Sequence, residues 1–207
     1  MTTYKEIFGK PIKVVNSDPT DAGAEGQVWY NSTLGSFRSV VAGGAWSSSS
    51  PMAIAAYHVG GGGTPTAMFA AGGSFGSSDK TQTEEYNGTG WEAGGSIGTG
   101  RGEMGSAGTL TAGLIYGGYR VTPPASTKNE TEEYNGTSWS EQNNLNTTRY
   151  SQGGFGTQTA TIVFGGETPS STANAVETES YNGTSWSEVN DLGTGLRIVT
   201  GKHHVRS

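Results

Sequence analysis

Glu132-Glu133-Tyr134-Asn135-Gly136-Thr137-Ser138-Trp139 decides how this chain folds, because the pattern occurs three times. It stands earlier as Glu84-Glu85-Tyr86-Asn87-Gly88-Thr89-Gly90-Trp91. It stands later as Glu179-Ser180-Tyr181-Asn182-Gly183-Thr184-Ser185-Trp186, so that the tyrosines are spaced by 48 and 47 residues. A fixed period of this length marks a repeat architecture, in which each unit is one supersecondary element that buries its face on the next. Asn-Gly tolerates positive φ at both central positions of a tight turn and is the strongest short-range hairpin signal. With a two-residue loop Tyr134 and Trp139 lie diagonally; with a four-residue loop they pair directly. Either register stacks the two aromatics on one face.

A second block keeps step with the first. Thr109-Leu110-Thr111-Ala112-Gly113-Leu114-Ile115-Tyr116-Gly117-Gly118 aligns without gaps to residues 64–73 and 157–166, both of which also end in Gly-Gly. Arg101 and Arg149 each stand 10 residues after a repeat tryptophan and 16 before a Gly-Gly pair; Ala56, 10 residues after Trp46, holds that position in the first copy. Leu114-Ile115-Tyr116 and Ile162-Val163-Phe164 are short continuous apolar runs, which predict strands buried on both faces. Gly-Gly ends each run and lets the backbone turn. A polar loop, a strand ending in Tyr, the Asn-Gly turn and a strand carrying Trp complete the unit. Each copy thus holds about four short strands, the content of one propeller blade. Leu196-Arg197-Ile198-Val199 reads as the opening of a fourth unit, with Arg197 taking the arginine position.

These residues resemble kelch repeats: Gly-Gly after an apolar strand, Glu-Tyr before a turn, Trp, and Arg ten residues later. The resemblance implies four-stranded sheets around a central axis. The Tyr-to-Trp spacing is tighter than is usual for kelch, and three copies are fewer than the four to eight blades of a closed propeller. The expected fold class is therefore all-β, with three four-stranded kelch-like blades in an incomplete propeller and an N-terminal β-hairpin segment. Residues 1–45 form the N-terminal attachment segment, 46–190 the repeat domain, and 191–207 a partial repeat and tail. Within the first segment, residues 4–8 and 12–15 read as short strands, with Pro11 limiting the first, and residues 26–38 read as a hairpin. That hairpin, Gly26-Gln27-Val28-Trp29-Tyr30-Asn31-Ser32-Thr33-Leu34-Gly35-Ser36-Phe37-Arg38, resembles an element near the N-termini of bacteriophage tail and fibre proteins. The repeated Tyr-Asn-Gly-Thr-Ser-Trp is similar to virion proteins of marine phages. The resemblance implies a structural component of a virion, in the tail, fibre or particle surface, whose partners are other virion proteins and copies of itself. The alternative is a receptor-reading module of a fibre that binds a host surface glycan.

Composition narrows the chemistry. A formal charge of −6 with no basic run speaks against nucleic acid as a partner. No stretch approaches the roughly 18 apolar residues that insert in a membrane. Cysteine is absent, so a disulfide framework, a thiolate metal site and a thiol nucleophile are excluded. Kelch-type copper oxidases need a Cys-linked Tyr, which this chain cannot make. Only His58, His203 and His204 are present, and the adjacent pair cannot both face one ion from a strand. The Glu pairs read as solvated strand charges near a turn, repeated rather than gathered across one cleft as glycoside hydrolysis requires. No enzymatic activity and no cofactor are expected. Partner contacts are expected instead at Trp29 and Tyr30 in the N-terminal hairpin, at Tyr119 and Arg120 in the loop that continues to Pro123-Pro124, and at Phe75. Loops on a rigid β scaffold collect recognition residues, and Tyr and Arg are enriched in interface hot spots.

Overall fold

The computed structural model describes residues 4–7, 10–18, 28–39, 49–169 and 174–197. Contacts divide the chain into two compact units, Met1–Ser48 and Ser49–Ser207. Trp46, Ile198, Val199 and the tail with His203 and His204 lie outside the described residues.

The first unit is a four-stranded sheet of β1 (Tyr4–Ile7), β2 (Lys10–Val15), β3 (Val28–Asn31) and β4 (Ser36–Ser39), in that order. The expected hairpin is β3–β4, and both N–H groups of Thr33 and Leu34 bond Asn31 Oδ1 at 3.0 Å to shape its turn. Two features differ from expectation. The second strand starts at Lys10 and includes Pro11, against an expectation of residues 12–15; proline is tolerated near the start of a strand. The hairpin is also extended into a sheet, because β2 runs parallel to β3 with Lys13 opposite Trp29 and Val15 opposite Asn31.

The second unit contains three four-stranded sheets, all antiparallel, and no helix among the described residues. The first comprises β5 (Gly60–Thr64), β6 (Ala67–Ala71), β9 (Thr83–Tyr86) and β10 (Trp91–Gly94), with the small hairpin β7 (Ser74–Phe75) and β8 (Ser78–Asp79) between β6 and β9. The second comprises β11 (Gly105–Thr109), β12 (Ala112–Tyr116), β15 (Thr131–Tyr134) and β16 (Trp139–Gln142), with the hairpin β13 (Tyr119–Arg120) and β14 (Ser126–Thr127) in the same place. The third is β17 (Gly153–Thr157), β18 (Ala160–Phe164), β19 (Thr178–Tyr181) and β20 (Trp186–Val189). The all-β expectation with repeated four-stranded sheets holds. Gly-Gly follows the second strand of every sheet with both residues at positive φ, as at Gly117 (+62°) and Gly118 (+110°), where a side chain would strain the turn.

The Asn-Gly segment works differently from a tight two-residue turn. Tyr134 sits opposite Trp139, so the loop has four residues and the aromatics pair directly, as they do at Tyr86–Trp91 and Tyr181–Trp186. Only the glycine takes positive φ (Gly136, +86°), while the asparagine acts through its side chain. Asn135 Oδ1 accepts the N–H groups of Thr137 and Ser138 at 2.9 Å each, and Asn87 and Asn182 repeat this. The paired rings stack at 4.7 Å in Tyr134–Trp139 and 4.8 Å in Tyr181–Trp186.

The sheets stack in chain order, with β5 beside β11 and β11 beside β17. Ser106 on β11 bonds both the N–H and the carbonyl of Gly61 on β5, at 3.0 and 2.8 Å. Phe69, Ala71, Ile97 and Ile115 form the core between the first two sheets. Leu114, Tyr116, Leu145, Val163, Tyr181 and Trp186 form the core between the second and third. Side chains alternate along β12, so Ile115 looks back to the first sheet while Leu114 and Tyr116 look forward to the third. Burial of the repeat tryptophans is uneven: Trp186 is buried, whereas Trp91 and Trp139 are half-buried.

Candidate functional site

The glutamates of the repeat overturn one sequence expectation. Glu84, Glu132 and Glu179 are only 4%, 5% and 1% exposed, so they are core groups and not solvated charges. Glu132 Oε1 takes Arg101 Nη1 at 2.8 Å, and Glu179 Oε1 takes Arg149 Nη2 at 2.9 Å, with both guanidinium groups fully buried. Each arginine also donates to backbone carbonyls, Arg101 to Gly117 and Thr99, Arg149 to Gly165 and Glu177. A buried ion pair is held only where such hydrogen bonds satisfy its remaining atoms. The second glutamates act between sheets. Tyr134 OH donates to Glu85 of the preceding sheet, and Tyr181 OH to Glu133 at 3.0 Å. Burial, then the bond to Glu85, pushes the Tyr134 phenol up to about 12; burial, then Glu133, pushes Tyr181 up as well. Trp139 Nε1 and Trp186 Nε1 reach back to Thr83 Oγ1 and Thr131 Oγ1 at 2.8 and 2.9 Å. These residues weld neighbouring sheets and leave the loops at one end to present chemistry.

That end is built from the residues that follow the arginine position. Tyr57, Gly102 and Tyr150 each bridge to a residue just past Gly-Gly: Ser74, Tyr119 and Glu167. One residue further, His58, Glu103 and Ser151 are, among the described residues, the non-glycine residues in left-handed conformation, with φ of 59°, 54° and 52°. Such conformations persist only where the surroundings enforce them. Here a ladder does so, with Glu103 N bonding His58 O and Ser151 N bonding Glu103 O, both at 3.0 Å. The side chains form a row: His58 Nδ1 lies 3.5 Å from Glu103 Oε1, and Ser151 Oγ donates to Glu103 Oε2. The carboxylate stands between serine and histidine. Nucleophile activation needs histidine in the middle, so this order does not generate a reactive serine. Among the described residues no three His, Cys, Asp or Glu side chains gather to hold a metal ion.

Beside the row, Tyr119 and Tyr150 pack ring to ring at 5.2 Å. Tyr150 OH donates to Glu167 Oε2, which lies next to the Glu167–Arg197 ion pair. Burial, then the nearby Glu103 carboxylate, raises the Tyr150 phenol. The loop carrying Tyr119 and Arg120 is the ordered hairpin β13–β14, tied to the preceding loop through Asp79. Asp79 accepts Thr122 N at 2.7 Å and Val121 N at 3.1 Å. Burial opposes its charge, yet the Thr122 hydroxyl and these two N–H groups hold the Asp79 carboxyl below its ordinary value.

Of the residues expected to meet partners, Tyr119 and Arg120 lie half-buried at this end, and Phe75 stands exposed on the neighbouring hairpin. Trp29 and Tyr30 belong to the first unit. Trp29 is 3% exposed and donates its indole N–H to Asp18 at 2.9 Å, so it is a core residue of that unit and not an outward contact. Bonds from Asn31 and Trp29, with Arg38 beside them, hold the Asp18 carboxyl below its ordinary value. Tyr30, half-buried, meets exposed Phe37 edge-on at 5.2 Å. Tyr57, Glu103 and Tyr150 were missed, although reading each repeat one or two residues past the arginine position would have aligned them. Compared with known proteins, the chain matches no family model and no curated protein.

Proposed function

We propose that this protein is a kelch-like repeat component of a bacteriophage virion, its four-stranded sheets serving as propeller blades, and that it works through contacts with other virion proteins and with copies of itself. Support for blades comes from the four-strand meander of each sheet and from β5, β11 and β17 lying side by side. The observation that carries the reading is the outward face of the third sheet, where Phe155 is 68% exposed and Val189 accompanies it. Ile162 lies opposite Phe155, and both Ile162 and Phe164 on this face are half-exposed. An apolar sheet face of this kind marks a protein-interaction surface. Phe155→Asp is the test: the variant should stay folded and be lost from purified particles, as read by quantitative mass spectrometry. Incorporation equal to wild type would refute the role of this face, and absence of the wild type from virions would refute the function.

The alternative, recognition of a host surface glycan, is favoured by one feature. The Tyr119–Tyr150 pair, with Glu103 and Glu167 beside it, combines aromatic faces with carboxylate acceptors. Under that reading Tyr119→Ala abolishes binding on a glycan array without changing incorporation.

A further inference from the structure

Among the described residues, the buried carboxylate of the first sheet lacks the partner that its equivalents in the other two sheets have. In the second and third sheets the carboxylate divides its oxygens in the same way. Oε2 accepts a backbone N–H from Gly98 or Asn146, both at 2.8 Å, and Oε1 accepts the guanidinium of Arg101 or Arg149. In the first sheet Glu84 Oε1 accepts Ala53 N at 2.8 Å, the equivalent backbone bond. Its other oxygen, Oε2, is buried with no hydrogen-bond partner among the described residues. The arginine position is Ala56, as the bridge from Tyr57 to Ser74 confirms against those from Gly102 and Tyr150.

The remaining acceptors of the site are in place. Arg101 donates to the carbonyls of Gly117 and Thr99 and approaches that of Glu130 at 3.5 Å. The matching residues of the first sheet are Gly72, Ile54 and Gln82, and Gly72 N bonds Gln82 O at 2.9 Å just as Gly117 N bonds Glu130 O at 3.0 Å. A carboxylate with a fan of carbonyls fits the planar five-donor guanidinium far better than an ammonium point charge. Access differs as well. Arg101 and Arg149 are fully buried, whereas Ala56 is half-exposed and the segment that bonds Glu84 precedes β5, with Ser50 and Ala53 reaching Thr89 and Glu84.

We infer that Glu84, with the carbonyls of Gly72, Ile54 and Gln82, is a socket for the guanidinium of an arginine supplied by another chain. A buried carboxylate left half-paired is costly, and an incoming arginine removes that cost. The inference is independent of the virion reading, since it concerns one group in one sheet.

The test uses the full chain and methylguanidinium as probe, with methylammonium at equal ionic strength as control. Methylguanidinium should raise the wild-type melting temperature by roughly 2–4 °C over the control. Ala56→Arg should raise it by a similar amount without probe and abolish the probe response, and Glu84→Gln should abolish the response too. Equal response to both cations overturns the inference. So does an Ala56→Arg protein that melts no higher than wild type or fails to fold, which keeps the test decisive if Glu84→Gln cannot be made. Sedimentation identifies the donor chain. A dimer lost in Ala56→Arg assigns the arginine to a second copy, and a wild-type monomer with the probe response intact assigns it to a different protein. Either outcome upholds the socket.

Discussion

The second and third sheets share the repeat pattern and the same strand order, yet they live in different environments. Leu114 and Tyr116 on β12 are fully buried; their equivalents on β18, Ile162 and Phe164, are half-exposed. The backward-looking positions match instead, since Ile115 and Val163 are both fully buried. Sheet formation is therefore a local property of the repeat, while burial is conferred by the neighbour. The side chains have diverged where the neighbour is missing. Ser180 replaces the glutamate that Glu85 and Glu133 supply to the next sheet's tyrosine. Phe155 stands where the first two sheets have Gly62 and Ala107. At Gly62 even a Cβ would come within 3.0 Å of Gly108 O on the next sheet, so a phenylalanine cannot accept a neighbour stacked in the same way. A further sheet stacked as the internal ones are would meet Phe155 where they meet Gly62 or Ala107.

The largest expected effect tests the part of the comparison in which the two sheets agree. Arg101→Ala and Arg149→Ala each strand a buried carboxylate, at a cost of roughly 3–5 kcal/mol. Both arginines are sealed, so urea denaturation should give similar losses for the two variants. A cost below about 1 kcal/mol for either would mean that the ion pair is solvated, contrary to its burial.

Next comes the position where the sheets disagree. Leu114→Ala should destabilise by roughly 2–5 kcal/mol, since it opens a cavity between two sheets. Ile162→Ala should cost less than about half of that in the isolated protein, because Ile162 already meets solvent on one side. Equal losses would show that the face of the third sheet is covered in solution, and the comparison would then sharpen into a search for what covers it.

A similar contrast separates the tyrosines. Tyr181→Phe removes the donor to Glu133 in a buried interface and should cost roughly 1–3 kcal/mol. Tyr86→Phe removes only a contact to exposed Ser49 and should cost under about 0.5 kcal/mol. Denaturant midpoints of the two variants give the comparison directly, and losses of equal size would erase the distinction between internal and outer contacts.

The sheets were legible because the repeat states its own period, and because Tyr, Asn-Gly and Trp fix strand, loop and strand within eight residues. The site was less so. Glu132 finds Arg101 across 31 residues of sequence, and a charged pair read locally looks solvated. The backbone of Leu196, not of Arg197, takes the place of Arg149. Leu196 O accepts Gly166 N at 2.7 Å just as Arg149 O accepts Gly118 N at 2.8 Å. Counting ten residues from Trp186 instead of seeking the next arginine gives that register. The left-handed row at His58, Glu103 and Ser151 carries no glycine or asparagine to announce it. The parallel pairing of β2 with β3 likewise joins segments that no local turn connects.

The smallest effect concerns pH, and it probes whether the welds between sheets carry a protonated phenol. Tyr134 has its hydroxyl proton on the bond to Glu85, and burial with that carboxylate raises its ionisation from 10.0 to about 12. A raised value means that the folded state resists losing the proton. The contribution to stability is complete below pH 10, where the phenol is neutral whether folded or not. Above pH 10 the unfolded chain ionises first and is favoured, so stability declines until the folded group itself ionises near pH 12. Urea midpoints measured between these limits should therefore fall with rising pH. Tyr134→Phe should start lower, having lost the bond, but its midpoint should fall less steeply, because one of the groups responsible for the slope is gone. The third sheet supplies the internal control, since Tyr181 is raised by burial and Glu133 in the same way and Tyr181→Phe should flatten the slope likewise. If both variants keep the wild-type slope, neither phenol is held neutral by its neighbour. The tyrosine–glutamate contacts would then be packing contacts with no proton at stake.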